Sequence, residues 1–179
     1  MTTANKITLF RVILIPVFLV LAYTGHSYAA FAVFALASLS DMLDGYIARH
    51  YNQITNFGKF MDPLADKVLV MAAMCYFVEA GRMPGWALAI VLLREFAVSG
   101  MRLVAVEQGR VIAAGWSGKV KTAATMVGLC AMLLFPAPQP SGSAPDWVAL
   151  VSTAVILLTT VYSGVEYFIK NLDVFRHAD

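Results

Sequence analysis

The chain has 179 residues, 60% of them hydrophobic and only 13% charged, whereas soluble domains carry about a quarter charged residues. Its mean hydropathy of +0.73 points to a lipid environment. A net charge of +2, with no run of Lys or Arg, argues against a nucleic-acid partner. Cys75 and Cys130 sit in apolar runs without metal-type spacing, which fits buried apolar filling better than a disulfide or redox pair.

Taken in order, residues 1–11 are polar with Ile7, Leu9 and Phe10 interspersed, and predict a short amphipathic juxtamembrane segment. Apolar sequence runs from Val12 to Tyr23 and stops at Thr24-Gly25-His26-Ser27. A positive start before an apolar run mimics a signal peptide, but further apolar segments follow, so a retained first span is expected. Span two covers about Tyr28 to Arg49, and span three about Phe57 to Ala80, with Pro63 expected in a tolerant first helical turn. After the breaker Gly81-Arg82-Met83-Pro84-Gly85 come spans from Trp86 to about Val106 and from about Lys119 to Phe135. A Pro/Ser/Gly-rich link precedes the last, Trp147 to about Lys170. Each run is near the roughly 20 residues that cross the hydrocarbon core. The expectation is one all-α domain over residues 1–179, an integral membrane bundle of six transmembrane helices.

With the N-terminus inside, the inner loops and helix ends hold Lys6, Arg11, Arg49, Lys59, Arg102, Arg110, Lys119, Lys121, Lys170 and Arg176. The outer links hold only Arg82. That asymmetry is what the positive-inside rule expects.

The densest chemistry lies at Asp41–Asp66, where four of the eleven acidic residues fall within 26 positions. At about 100° per residue, Asp41, Asp44, Gly45 and Ala48 share an arc of roughly 100°, and Gly58, Asp62 and Asp66 one of roughly 80°. Two helices can therefore aim four carboxylates at one point, with small residues leaving room beside them. Intramembrane acids are costly and mark functional sites. Four such carboxylates repel one another unless a cation intervenes. Oxygen donors without His or Cys favour Mg²⁺ or Mn²⁺ over Zn²⁺. Ordinary ion pairs with Arg49, Lys59 and Lys67 are the bland alternative, and they leave the glycines and the regular spacing unexplained.

The pattern D-x2-D-G-x2-A-R-x8-G-x3-D-x3-D resembles the signature of the CDP-alcohol phosphotransferase family at all eight fixed positions: Asp41, Asp44, Gly45, Ala48, Arg49, Gly58, Asp62 and Asp66. The start is similar to the family's N-terminal motif, with Ala4 in place of Pro and with Asn5, Thr8 and Arg11 in position. The resemblance implies a membrane enzyme that cleaves a CDP-linked lipid. It implies two Mg²⁺ or Mn²⁺ ions on Asp41, Asp44, Asp62 and Asp66, with Asp66 also the general base. Asn5, Thr8, Asp41, Gly45, Ala48, Arg49 and Gly58 are then the residues around the CDP-lipid. It also implies a homodimer and, with no transit peptide in view, a bacterial inner membrane with the site facing the cytoplasm.

A second constellation follows in span four, where Arg94, Glu95, Ser99 and Arg102 need partners or a polar cavity inside the membrane. Glu95, Ser99 and Arg102 lie within about 60° on the helix, with Arg94 about 80° from Arg102. Arg110, Lys119 and Lys121 bring further cations to the same side, Lys119 and Lys121 pointing about 160° apart. Such cations bind phosphate dianions, or else snorkel to headgroups and form structural ion pairs. R-E-F-A-V-x-G-x-R, A-A-G-x-x-G-K and K-T look like the branch of the family that transfers phosphatidyl from CDP-diacylglycerol to glycerol 3-phosphate. On that resemblance Arg94, Arg102, Arg110 and Lys119 hold the acceptor phosphate. Inositol phosphate, serine or phosphatidylglycerol as acceptor, and a small divalent-cation transporter, are the alternatives. Clustering of all four acids at one membrane face argues against transport. The scattered His26, His50 and His177 fit loops and termini, and Glu166 fits an ion-pair partner.

Overall fold

The structure is a computed structural model. It describes residues 3–50, 56–113, 115–136 and 145–176, without the side chains of 3–8, 41–50, 56–63, 66, 175 and 176. The described residues form six long helices and one short one: α1 (Thr3–Tyr23), α2 (Ser27–His50), α3 (Asn56–Glu79), α4 (Gly85–Glu107), α5 (Trp116–Leu134), α6 (Trp147–Lys170) and α7 (Asp173–Arg176). No strand occurs among them.

The breakers end helices through backbone geometry. Gly81 and Gly109 have φ of 70° and 74°, a region that only glycine enters at no cost. At each, two amides fold back on the helix: Gly81 N–H donates to Val78 O and Arg82 N–H to Phe77 O, while Gly109 N–H donates to Val106 O and Arg110 N–H to Ala105 O. This closes the last turn on its orphan carbonyls.

α5 packs most extensively on α6, and α1 on α2, while α3 touches α1, α2, α4 and α5 and so runs through the middle. The core is built on Phe18, Phe34, Leu69, Phe77, Met132 and Ile156, all essentially inaccessible. α5 and α6 meet closely at Gly128, where a Cβ would stand 3.1 Å from Ile156 Cδ1. A small residue brings backbones together where apolar burial supplies no drive between helices.

Two expectations change in detail. Residues 3–11 are not a separate segment but the first turns of α1, since polar side chains alone do not end a helix. α3 begins at Asn56, so Pro63 lies beyond the first turn and removes one intrahelical hydrogen bond. Six long helices are present as expected, but only α6 is long and apolar enough, among the described residues, to pass for a span on its own. Leu9–Tyr23 and Ser27–Ser40 are shorter apolar stretches.

Candidate functional site

The signature splits across two packed helices. Asp41, Asp44, Gly45, Ala48 and Arg49 fall in the last three turns of α2, and Gly58, Asp62 and Asp66 in the first three of α3. Their side chains, like those of Asn5 and Thr8, lie outside the described residues. Among the described residues no cluster of metal-ligating side chains occurs. The donor set is all carboxylate on two adjacent helices, chemistry that fits a hard divalent cation.

The next residue of α3 carries the site into the rest of the bundle. Lys67 Nζ donates to Ser99 Oγ at 2.6 Å and stands 3.8 Å from Glu95 Oε2, both on α4. Glu95 Oε1 accepts from Lys121 Nζ of α5 at 2.6 Å and from Arg94 Nη1 at 2.9 Å. Arg94 Nη2 reaches α6, donating to Ser163 Oγ at 2.5 Å. Arg94 Nε is buried without a partner among the described residues. Room for the arginine comes from α6 and α5: a Cβ on Gly164 would stand 3.2 Å from its Cγ, and one on Gly118 would stand 3.7 Å from Nη2. One carboxylate thus gathers three cations from three helices in a layer next to Asp66.

The other predicted cations are more scattered. Arg102 Nε donates to the Tyr167 hydroxyl at 3.1 Å, with the guanidinium 5.5 Å from that ring's centre, and its Nη groups have no partner among the described residues. Arg110 pairs at 2.7 Å with Asp173 on α7, both about half exposed. That hydrogen bond holds the Asp173 carboxyl below its usual range, with burial opposing it. Lys119 is exposed, while Lys121, on the other face of α5, is buried. Glu166 pairs with Lys170 one turn on. Arg11 is fully buried in α1.

Ser163 and Tyr167 were not among the sequence-derived candidates. The signal was available: the buried residues of α6 include Ser152, Thr153, Thr160, Ser163, Gly164 and Tyr167, a small polar stripe at helical spacing in an otherwise apolar helix. A cleft of about 160 Å³ between α5 and α6, lined by Trp116, Ser117, Tyr162 and Glu166 among others, does not involve the Glu95 cluster.

The family model for CDP-alcohol phosphatidyltransferase matches residues 1–163. The chain belongs to that family. A Bacillus subtilis (strain 168) relative named CDP-diacylglycerol--glycerol-3-phosphate 3-phosphatidyltransferase is 40% identical over 187 aligned residues, covering 96% of each chain. A Mycobacterium tuberculosis (strain CDC 1551 / Oshkosh) relative named probable phosphatidylglycerophosphate synthase is 38% identical, covering 94% of this chain and 81% of the relative. An Escherichia coli (strain K12) relative with the same name as the first is 42% identical, covering 73% and 75%. The matched range includes the whole Asp41–Asp66 pattern, and Lys67, the residue after it, joins the Glu95 cluster.

Proposed function

We propose that this chain transfers the phosphatidyl group of CDP-diacylglycerol to glycerol 3-phosphate, giving phosphatidylglycerophosphate and CMP. The names of its relatives support both substrates. The observation in the structure that carries it is the layer formed by Lys67, Arg94 and Lys121 around Glu95. Three cations on one carboxylate leave positive charge beside the signature, which suits an acceptor that is itself a phosphate dianion.

The family uses a divalent cation. Asp41, Asp44, Asp62 and Asp66 would hold it, as two Mg²⁺ or Mn²⁺ ions, and when bound it neutralises charge on the pyrophosphate. Asp66 takes the proton from the acceptor hydroxyl. That oxygen bonds to the phosphorus carrying diacylglycerol, the bond from phosphorus to the CMP oxygen breaks, and CMP leaves with the electron pair. Gly45, Ala48 and Gly58 leave space for the cytidine, with Asn5, Thr8 and Arg49 around the CDP-lipid. Arg94, Arg102, Arg110 and Lys119 were the expected acceptor cations. Of these, Arg102 is the best supported, because its Nη fork is uncommitted among the described residues while Nε is anchored on Tyr167. Positioning of this kind supplies much of the rate.

The single domain sits in a bacterial inner membrane, its six helices crossing the bilayer, its site toward the cytoplasm, and two copies associating. Outward-facing Ile13, Val20, Leu93, Phe96, Leu158 and Ile169 support a lipid environment.

The test is CMP release by purified protein in detergent with CDP-diacylglycerol and Mg²⁺, comparing glycerol 3-phosphate with inositol phosphate and serine. Release only with glycerol 3-phosphate is expected. Release with another acceptor discards the acceptor assignment, and release with none discards the reaction. Arg102→Ala should raise the KM for glycerol 3-phosphate about tenfold, the worth of one charged hydrogen bond, and leave kcat nearly unchanged. Equal KM in variant and parent removes Arg102 from the acceptor site.

A further inference from the structure

Glu95 is an unexpected residue to find among cations that serve a phosphate, because a carboxylate repels the ligand. Its geometry explains why it is there. Lys121 is buried, and a buried ammonium needs acceptors in place of the water it has given up. Oε1 of Glu95 holds that ammonium at 2.6 Å and Arg94 Nη1 at 2.9 Å, and Oε2 faces Lys67 from 3.8 Å. The carboxylate therefore ties α4 to α5 directly, to α3 through Lys67, and to α6 through Arg94 and Ser163. Lys67 adjoins Asp66, so the position of Glu95 also sets where the acidic helix stands relative to the basic ones.

We infer that Glu95 is the positioning residue of the acceptor site: it fixes Lys67, Arg94 and Lys121 at the spacing an incoming phosphate meets, without touching the reacting atoms itself. Among the described residues these three cations face this single carboxylate, so the cluster remains positive after Glu95 is counted. The inference rests on the proposed acceptor, and it assigns a role to a residue that the phosphate itself would not select.

The inference separates from a packing role by its coupling. A residue that acts partly through Lys121 loses that part of its effect once Lys121 is gone, whereas independent contributions add in full. The experiment uses the full chain in detergent as parent, Glu95→Gln, Lys121→Met and the double variant. It measures CMP release against each substrate and the rise in melting temperature given by glycerol 3-phosphate without CDP-lipid. Glu95→Gln is expected to raise the acceptor KM about tenfold and to require about ten times more glycerol 3-phosphate for the same melting shift, with the KM for CDP-diacylglycerol within about twofold. The double variant should lose less than the product of the two single losses, the remainder being what Glu95 does through Lys67 and Arg94. Losses that multiply, or KM values that move together for both substrates, overturn the inference. Should Glu95→Gln not fold, Glu95→Asp keeps the charge but withdraws it by one methylene, and is expected to show the same selective KM rise at smaller size. An unchanged acceptor KM in that variant also overturns it. Failure of the proposed function reads differently. The parent would then turn over another acceptor and not glycerol 3-phosphate, and the same cycle run on that acceptor still decides whether residues 95 and 121 act as one.

Discussion

Replacing Asp62 with Ala should lower CMP release by at least about 10³-fold, since metal-borne charge stabilisation is worth several kcal/mol and each 1.4 kcal/mol is a factor of ten. The expectation rests on the spacing of four acids across the end of α2 and the start of α3, in a family whose chemistry needs a divalent cation. Stability gives an independent sign. Four close carboxylates without a cation repel one another, so removing one relieves the folded state. In metal-free buffer Asp62→Ala should therefore melt no lower than the parent, and Mg²⁺ should stabilise the parent more than the variant. An acid kept for an ordinary ion pair predicts the reverse: a lower melting temperature and retained turnover. Activity within tenfold of the parent would remove Asp62 from the metal site. In the parent, EDTA should abolish turnover, and Mg²⁺ or Mn²⁺ should restore it.

What was legible in the sequence was whatever is written locally. The apolar block from Trp147 to Lys170 coincides with α6 end to end, because a Pro/Ser/Gly-rich link bounds it on one side and Asn171 on the other. The breaker at Gly81–Gly85 separates α3 from α4 as expected, since Gly81 takes the left-handed turn. The start of α1 was not legible, because a helix running out of an apolar layer continues through Asn5 and Lys6 without a residue that stops it. At the site, Arg94 and Glu95 announced that partners were needed, but partner identity depends on which helices are neighbours. Lys121 and Ser163 lie 26 and 69 residues from their partners in α4. The angle between Lys119 and Lys121 said that one would face inward; only the packing of α5 makes it Lys121. The acidic signature was visible for the opposite reason, its whole spacing being contained in two consecutive helices.

At the other end of the bundle, Arg82→Ala should cost about 3 kcal/mol, the scale of breaking a largely buried charged hydrogen-bond set, and lower the melting temperature in detergent by roughly 6–12 °C. Arg82 lies in the turn between α3 and α4, with its side chain only 9% exposed, and donates through all three guanidinium nitrogens. Nε reaches Asp146 Oδ2 at 2.6 Å, Nη1 the Met132 carbonyl at 2.5 Å, and Nη2 the Phe135 carbonyl at 2.8 Å. The two carbonyls belong to the C-terminal end of α5, which has no intrahelical donors left for them. Asp146 is the N-cap of α6, its Oδ1 accepting from Ala149 N–H at 3.0 Å. One arginine therefore closes the α3–α4 turn onto the end of α5 and the start of α6. Burial pushes the Asp146 carboxyl upward, but the Arg82 and Ala149 hydrogen bonds outweigh it and hold it below the usual carboxylate range. A carboxyl depressed in the folded state stabilises above its unfolded value of about 3.9, and the effect fades as pH falls through the folded value. The gap between parent and Arg82→Ala should accordingly be full at pH 7 and narrow below about pH 4. Both KM values should stay at the parent level, because the cations proposed to meet the acceptor from α4, Arg94 and Arg102, lie further along that helix. A melting temperature within about 2 °C of the parent at pH 7 would show that other contacts hold this end of the bundle, since even 1 kcal/mol moves it by that much.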